Sequence, residues 1–215
     1  MLTRERTTVG LLREYQNFSD LLARLDMSMW TRATRCAGWQ VRDVAAHVVG
    51  QAIDTVTGAS GTRSADEQAA SLRAQPPNDL AAQMRQIGES TAGLLTAFGD
   101  DMWVRPSPAP RFTVGRAIHA LLMDAYVHAD DIRDAINQPS DLREGLYDSL
   151  DFVLDILSRD PIIAADSHVV RLLAIPAAAF PKESGIDAHK FLLAATGRRD
   201  PRMLGLPETV NIFRA

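Results

Sequence analysis

Four long stretches of this sequence repeat apolar residues at intervals of three and four, the period of an α-helix with one buried face. The first, from about Thr7 to Leu25, carries Val9, Leu11, Leu12, Tyr15, Phe18, Leu21, Leu22 and Leu25 at that spacing. The second runs from Gln40 or Val41 to about Thr57. The third spans about Asn78 to Phe98, with Leu80, Met84, Ile87, Leu94, Leu95 and Phe98 facing inward, and the fourth about Thr113 to Asn137. No strand-period alternation of useful length and no Gly-rich phosphate loop interrupts this pattern. The spacing therefore predicts an all-α chain built on a helical bundle. Asp43 falls in the first turn of the second helix, where a carboxylate complements exposed amides, and Asn78 or Asp79 is expected to cap the third.

Polar and proline-bearing stretches connect these helices. Trp30 to Gly38 is expected to be an ordered loop anchored at its ends by Trp30 and Trp39. Gly58 to Pro77 reads as a loop with at most one short helix around Glu67 to Arg73. Between Gly99 and Arg111, Pro106, Pro108 and Pro110 predict an extended connection, because proline cannot sit inside a helix. Beyond Pro139 a fifth helix, roughly Leu142 to Leu157, leads into a region punctuated by Pro161, Pro176 and Pro181. A last helix, about Ile186 to Thr196, ends at Gly197. With 215 residues, two full domains would be cramped. The expected organisation is a four-helix bundle over 1–139 and a C-terminal helical extension, packed on it, over 140–215.

Charge and cysteine usage narrow the function. A net charge of −4 with scattered arginines leaves no electrostatic footprint for nucleic acid. No apolar run approaches the roughly 20 residues needed to span a bilayer, and the charged start, Met1 to Arg6, lacks the apolar stretch of a signal peptide. A single cysteine, Cys36, fits a reducing compartment. The sequence thus predicts a cytoplasmic protein with no nucleic-acid or membrane partner; homodimer formation stays open.

The polar residues that interrupt the apolar stripes carry the chemistry. Asp124 and His128 are four apart and project from nearly the same face of the fourth helix. His128 occupies a position in the Val114, Ile118, Leu121, Ala125, Ile132 and Ala135 stripe where an aliphatic residue is expected, and a buried ring there needs a partner. A buried His–Asp hydrogen bond without metal is the simpler account of that pair alone. His47, in the apolar run Val44 to Gly50, supplies a third residue from another helix, with Ala46 and Gly50 permitting close approach. Two imidazoles and one carboxylate form a site of the zinc type with a position open to water or substrate. Asp43 also precedes His47 by four but is assigned to capping. Asp131 is a candidate to orient a ligand imidazole, or to pair with Arg133 or Arg116 on the surface. His119 lies about 180° round the helix from His128 and is read as structural. His168 and His189 lack partners at ligand spacing, and Cys36 has no base adjacent in sequence.

The segment Cys36-Ala37-Gly38-Trp39-Gln40-Val41-Arg42-Asp43-Val44-Ala45-Ala46-His47 resembles the Cys-x-Gly-Trp-x-Val-Arg-Asp-Val-x-x-His signature of the mycothiol-dependent maleylpyruvate isomerase family, a branch of the DinB-like metal-binding four-helix bundles. Asp124 to His128 followed by Asp131-Ile132-Arg133 is similar to that family's Glu-xxx-His-xx-Asp-Ile-Arg segment, and Phe191 to Arg199 resembles a motif near its C-terminus. The resemblance implies a DinB-like bundle holding a divalent ion, zinc foremost and nickel as the alternative, at His47, Asp124 and His128. It also implies a small thiol, mycothiol, as cofactor. Asp124 stands where the family has glutamate, one methylene longer, and Gln40 where it often has Ser or Thr.

The expected activity is thiol-dependent cis–trans isomerisation, or thiol transfer to an electrophilic small molecule. Arg198 and Arg199 are candidates to neutralise a carboxylated substrate or the thiol cofactor, against the simpler reading of a solvated pair at a helix end. The alternative, from a different class, is a non-catalytic DinB-like helical module that binds a small molecule or a partner.

Overall fold

The computed structural model describes residues 2–108 and 112–214. Pro110 and Arg111 of the predicted extended connection lie outside the described residues. Among those described there are eleven α-helices and no sheet; the only strand-like features are isolated bridges, Ala33 with Gln40 and Pro106 with Thr113. The protein is all-α, with a DinB-like bundle. The chain divides into two compact units, Thr3–Ser140 and Asp141–Ala215 with Met1–Leu2.

The first unit is built on the four expected long helices: α1 (Arg4–Leu22), α3 (Val41–Val56), α5 (Pro77–Ala97) and α7 (Val114–Ala135). Both α1 and α3 pack against α5 and α7, so α1 and α3 take diagonal corners of the bundle. The core between them holds Leu11, Phe18 and Leu22 of α1, Val44 and Val48 of α3, Leu80 and Met84 of α5, and Leu122, Ala125 and Ile132 of α7. Removing that much apolar surface from water is the main driving force for assembly. Not every periodic residue joins it: Val9 stays 58% exposed.

Short helices fill the connections. Between α1 and α3 lies α2 (Met27–Trp30), whose N-cap Asp26 accepts from the amides of Ser28 and Met29. The short helix of the 58–77 connection is α4 (Ala65–Leu72), closed by a capping box in which Ser64 Oγ accepts from Glu67 N and Glu67 Oε2 accepts from Ser64 N. Two expectations are corrected. The cap of α5 is Pro76, with Pro77 as first residue, rather than Asn78 or Asp79; proline has no amide to satisfy and its φ is already helical. The stretch after Gly99 is not wholly extended but opens with α6 (Asp100–Trp103), before its first proline. The proline-punctuated region of the second unit also contains helices.

That second unit consists of α8 (Glu144–Ser158), α9 (Ser167–Leu173), α10 (Phe180–Ser184), α11 (Ala188–Ala195) and 3-10 turns. Here α8 packs on α9 and α11, and the Phe180 and Phe191 rings meet at 4.7 Å between centroids. Pro181 sits in the first turn of α10, where proline is tolerated.

Gly115 is required by packing. A Cβ on Gly115 of α7 would run into the indole ring of Trp103 of α6. Gly115→Ala should therefore force the indole aside and destabilise the protein by about 1–3 kcal/mol, read as a lowered midpoint in urea unfolding.

Candidate metal centre

The site lies where α3 and α7 face each other in the first unit. His47 comes from the middle of α3, Asp124 and His128 from successive turns of α7. His47 Nε2 stands 3.6 Å from Asp124 Oδ2, and His128 Nε2 stands 3.5 Å from Asp124 Oδ1. The two imidazoles meet edge to face with centroids 5.1 Å apart. Both histidines are buried, while the Asp124 side chain keeps 20% exposure.

Both spacings, each to its own oxygen of Asp124, are those of neighbouring ligands, and ligand atoms of all three residues lie within 4.8 Å of one another. Ligands bonded at roughly 2.0–2.2 Å in a tetrahedron lie about 3.3–3.6 Å from one another. Asp124 Oδ2 is shut off from solvent and makes no hydrogen bond. A buried carboxylate oxygen in that state is costly, and a cation between the three side chains would satisfy it. The residues present therefore fit a divalent ion.

Within the centre the carboxylate and the imidazoles shift one another's protonation. Burial works to raise the Asp124 pKa, but the close approach of His128 and then of His47 outweighs it and holds the carboxyl well below its usual range. For His128, burial disfavours the imidazolium, yet Asp124 and then Asp131 hold the pKa well above the ordinary histidine value. The Tyr15 phenol, buried on α1, is pushed well above its ordinary value by burial and by the Asp124 charge.

Each imidazole is held at its far nitrogen. His128 Nδ1 lies 3.1 Å from Asp131 Oδ2. Asp131 is fully buried and also accepts from Arg35 Nε at 3.1 Å and from Cys36 Sγ at 3.2 Å. The surface pairing of Asp131 with Arg133 or Arg116 is thus replaced by a buried one with Arg35, which also donates to Asp130 at 2.7 Å and ties the α2–α3 loop to α7. On the other side, His47 Nδ1 lies 2.9 Å from Gln68 Oε1 of α4, and Gln68 Nε2 donates to Asp54 Oδ2 at 2.8 Å. Arg63 closes that chain, its Nη2 donating to Asp54 Oδ1 at 2.6 Å. Trp39 lies against both imidazoles, 5.3 Å from His47 and 6.4 Å from His128 between centroids, and its Nε1 donates to Asp66 of α4.

A second group of possible ligands, Cys36, His128 and Asp131, shares His128 with the first. Its carboxylate is already engaged by the Arg35 guanidinium, whose positive charge opposes a cation there. It serves better to orient the His128 ring, since a hydrogen bond at one nitrogen fixes which nitrogen is left to coordinate.

The other sequence candidates lie elsewhere. Asp43 accepts from Gln40 N at 2.9 Å and closes the start of α3, whereas Gln40 Oε1 makes no hydrogen bond, so the cap rests on Asp43. His119 is completely buried on α7. His168 and His189 belong to the second unit and join no ligand group among the described residues. Arg198 and Arg199 follow α11, where both backbone amides donate to Leu193 O and Arg198 Nη1 donates to Thr196 O. Gly197, at φ +76°, makes the left-handed turn that closes that helix.

The model of the mycothiol maleylpyruvate isomerase N-terminal domain matches residues 11–133, which take in all three candidate ligands. The chain belongs to this family. No curated protein and no solved structure matches it. The family match ends shortly before the first unit does and leaves the second unit outside it. Within the matched region, His47 on α3 and the Asp124 to His128 turn of α7 converge on the Asp124 carboxylate.

The geometry sets the outcome of changing that carboxylate. Asp124→Glu should retain or tighten metal binding, and Asp124→Ala should weaken it by ~100-fold or more, at or beyond the top of the range for losing a residue that merely orients a ligand. Chelator competition measures both; equal affinity in Asp124→Ala and wild type would remove Asp124 from the ligand set.

Proposed function

We propose that this chain is a metalloenzyme that uses a small thiol, mycothiol by family membership, to act on an electrophilic small molecule. The observation that carries the reading is the convergence of His47 Nε2, Asp124 and His128 Nε2 at 3.5–3.6 Å within a family named for a thiol-dependent isomerase. His47, Asp124 and His128 would hold the divalent ion, zinc foremost or nickel. Such an ion supplies concentrated positive charge, which favours thiolate at neutral pH, where a free aliphatic thiol of pKa roughly 8.5 is mostly protonated.

The chain's own residues set the conditions for that chemistry. Asp124 would neutralise only one of such an ion's two charges, which would leave the centre attractive to thiolate. Asp131 and Gln68 keep both imidazoles turned towards Asp124. Trp39 walls the pair off on one side, lowering local polarity and strengthening each electrostatic interaction. A thiolate delivered there adds to one carbon of a conjugated cis double bond; rotation about the resulting single bond and expulsion of thiolate give the trans isomer. In the transfer version the adduct is retained and takes up a proton. A cytoplasmic setting is part of the same proposal, since Cys36 makes no disulfide.

Two outcomes test the reading. Purified protein reconstituted with zinc, nickel or cobalt should hold roughly one ion per chain, and His47→Ala/His128→Ala should hold almost none, as measured by elemental analysis. An electrophile such as maleylpyruvate should then be converted by the loaded wild type only when a small thiol is present, with no conversion by His47→Ala. Turnover that persists without thiol would point to activated water and a hydrolase. Silence from well-folded, loaded protein across a panel of thiols and electrophiles would make the chain a binding module.

A further inference from the structure

We infer that Gln68, Asp54 and Arg63 form a hydrogen-bond relay that dictates the tautomer of His47, making Gln68 a positioning residue for the centre although α4 supplies no ligand. The inference rests on the proposed metal site for its consequence, not for its geometry.

The direction of every bond in the relay follows from donor chemistry. Arg63 only donates, and its Nε and Nη2 reach both oxygens of Asp54, at 3.1 and 2.6 Å. Ionised Asp54 only accepts. Gln68 must therefore turn its amide nitrogen to Asp54, 2.8 Å away, which leaves Oε1 facing His47 Nδ1 at 2.9 Å. An amide oxygen only accepts, so His47 Nδ1 carries the proton. Nε2 is then the nitrogen whose lone pair is left for an ion beside Asp124. The chain Arg63, Asp54, Gln68, His47 transmits a fixed polarity over three hydrogen bonds.

Burial makes this polarity costly to reverse. Gln68 is 5% exposed, Asp54 4% and His47 6%. Reversing one amide would set two donors or two acceptors against each other out of reach of water, at the cost of a lost buried hydrogen bond. The backbone is shaped to seat the relay. A Cβ on Gly50 of α3, one turn from His47, would come within 3.0 Å of Gln68 Cβ and 3.3 Å of its carbonyl oxygen. Glycine there lets α4 close on α3, and Arg63 Nη2 also donates to Gly50 O at 3.3 Å. The Ser64–Glu67 capping box starts α4 at the right register.

The relay can be inverted without changing side-chain volume. In Asp54→Asn the new amide must keep its oxygen towards Arg63, so its NH2 faces Gln68. The Gln68 amide then turns over, its nitrogen meets His47 Nδ1, and the favoured neutral tautomer becomes Nε2–H. Adding Gln68→Glu to Asp54→Asn restores an acceptor on both sides, because a carboxylate accepts from the introduced amide and from His47 Nδ1 alike.

Two readouts are taken on wild type, Asp54→Asn and the double variant Asp54→Asn/Gln68→Glu. The first is the His47 tautomer, from the ring nitrogen shifts and ring-proton couplings of metal-free protein in mildly alkaline buffer. Wild type and double variant should show Nδ1–H, and Asp54→Asn should show Nε2–H. The second is zinc affinity by chelator competition, which should fall ~10–100-fold in Asp54→Asn and return to within a factor of ~3 in the double variant. Retention of Nδ1–H in Asp54→Asn, or a double variant as weak as the single one, would overturn the relay. Tautomer inversion with no zinc bound even by wild type would keep the relay and sink the metal reading, so the two failures are separable.

Discussion

A carboxylate set among aliphatic side chains is tolerable only if positive charge or donors meet it at hydrogen-bonding distance. Asp124 imposes that requirement on this bundle. Its oxygens face His47 from α3 and His128 from its own helix, at 3.6 and 3.5 Å, and neither contact is a full hydrogen bond. The apolar stripes that would make an ordinary helical core are interrupted here by groups that need one another. The surroundings follow from it. Asp131 and Gln68 hold the far sides of the two imidazoles, Arg35 and Arg63 neutralise the carboxylates behind them, and Gly50 lets α4 come close enough to take part.

The arrangement separates rigidity from reactivity. Atoms facing away from the shared centre are committed to hydrogen bonds with buried partners, whereas Asp124 Oδ2 is left without one. A site of this kind binds by preorganisation: the groups that fix the rings are ordered on folding, and little ordering remains when an ion arrives. Cys36 is drawn into the same network through Asp131, which explains why a thiol so near the centre acts as a support for His128.

Much of the architecture was legible in the residues themselves. The three- and four-residue spacing located all four bundle helices, and Asp124 with His128 could be placed on one face because four residues nearly complete a turn. Other features carried local signals that were easy to pass over. Ser64-Ala65-Asp66-Glu67 is a capping-box sequence that marks the start of α4, and Pro76-Pro77 is a helix start. Asp54 follows His47 by seven residues on α3 and so lies on the same face, two turns away, yet nothing in that spacing names its partner. The helices between Pro161 and Pro181 were hidden because proline suits a first turn as well as a break.

The sequence by itself determined the helical class, the long helices and the turns that present His47, Asp124 and His128, because helix periodicity and capping are local properties of a chain. Only the tertiary structure decided that His47 meets the α7 pair, that Arg35 rather than a neighbour on α7 holds Asp131, and that Gln68 reaches His47. Those contacts join residues from 21 to 96 positions apart. They are set by which apolar faces pack and how closely two backbones approach, and no local pattern encodes either.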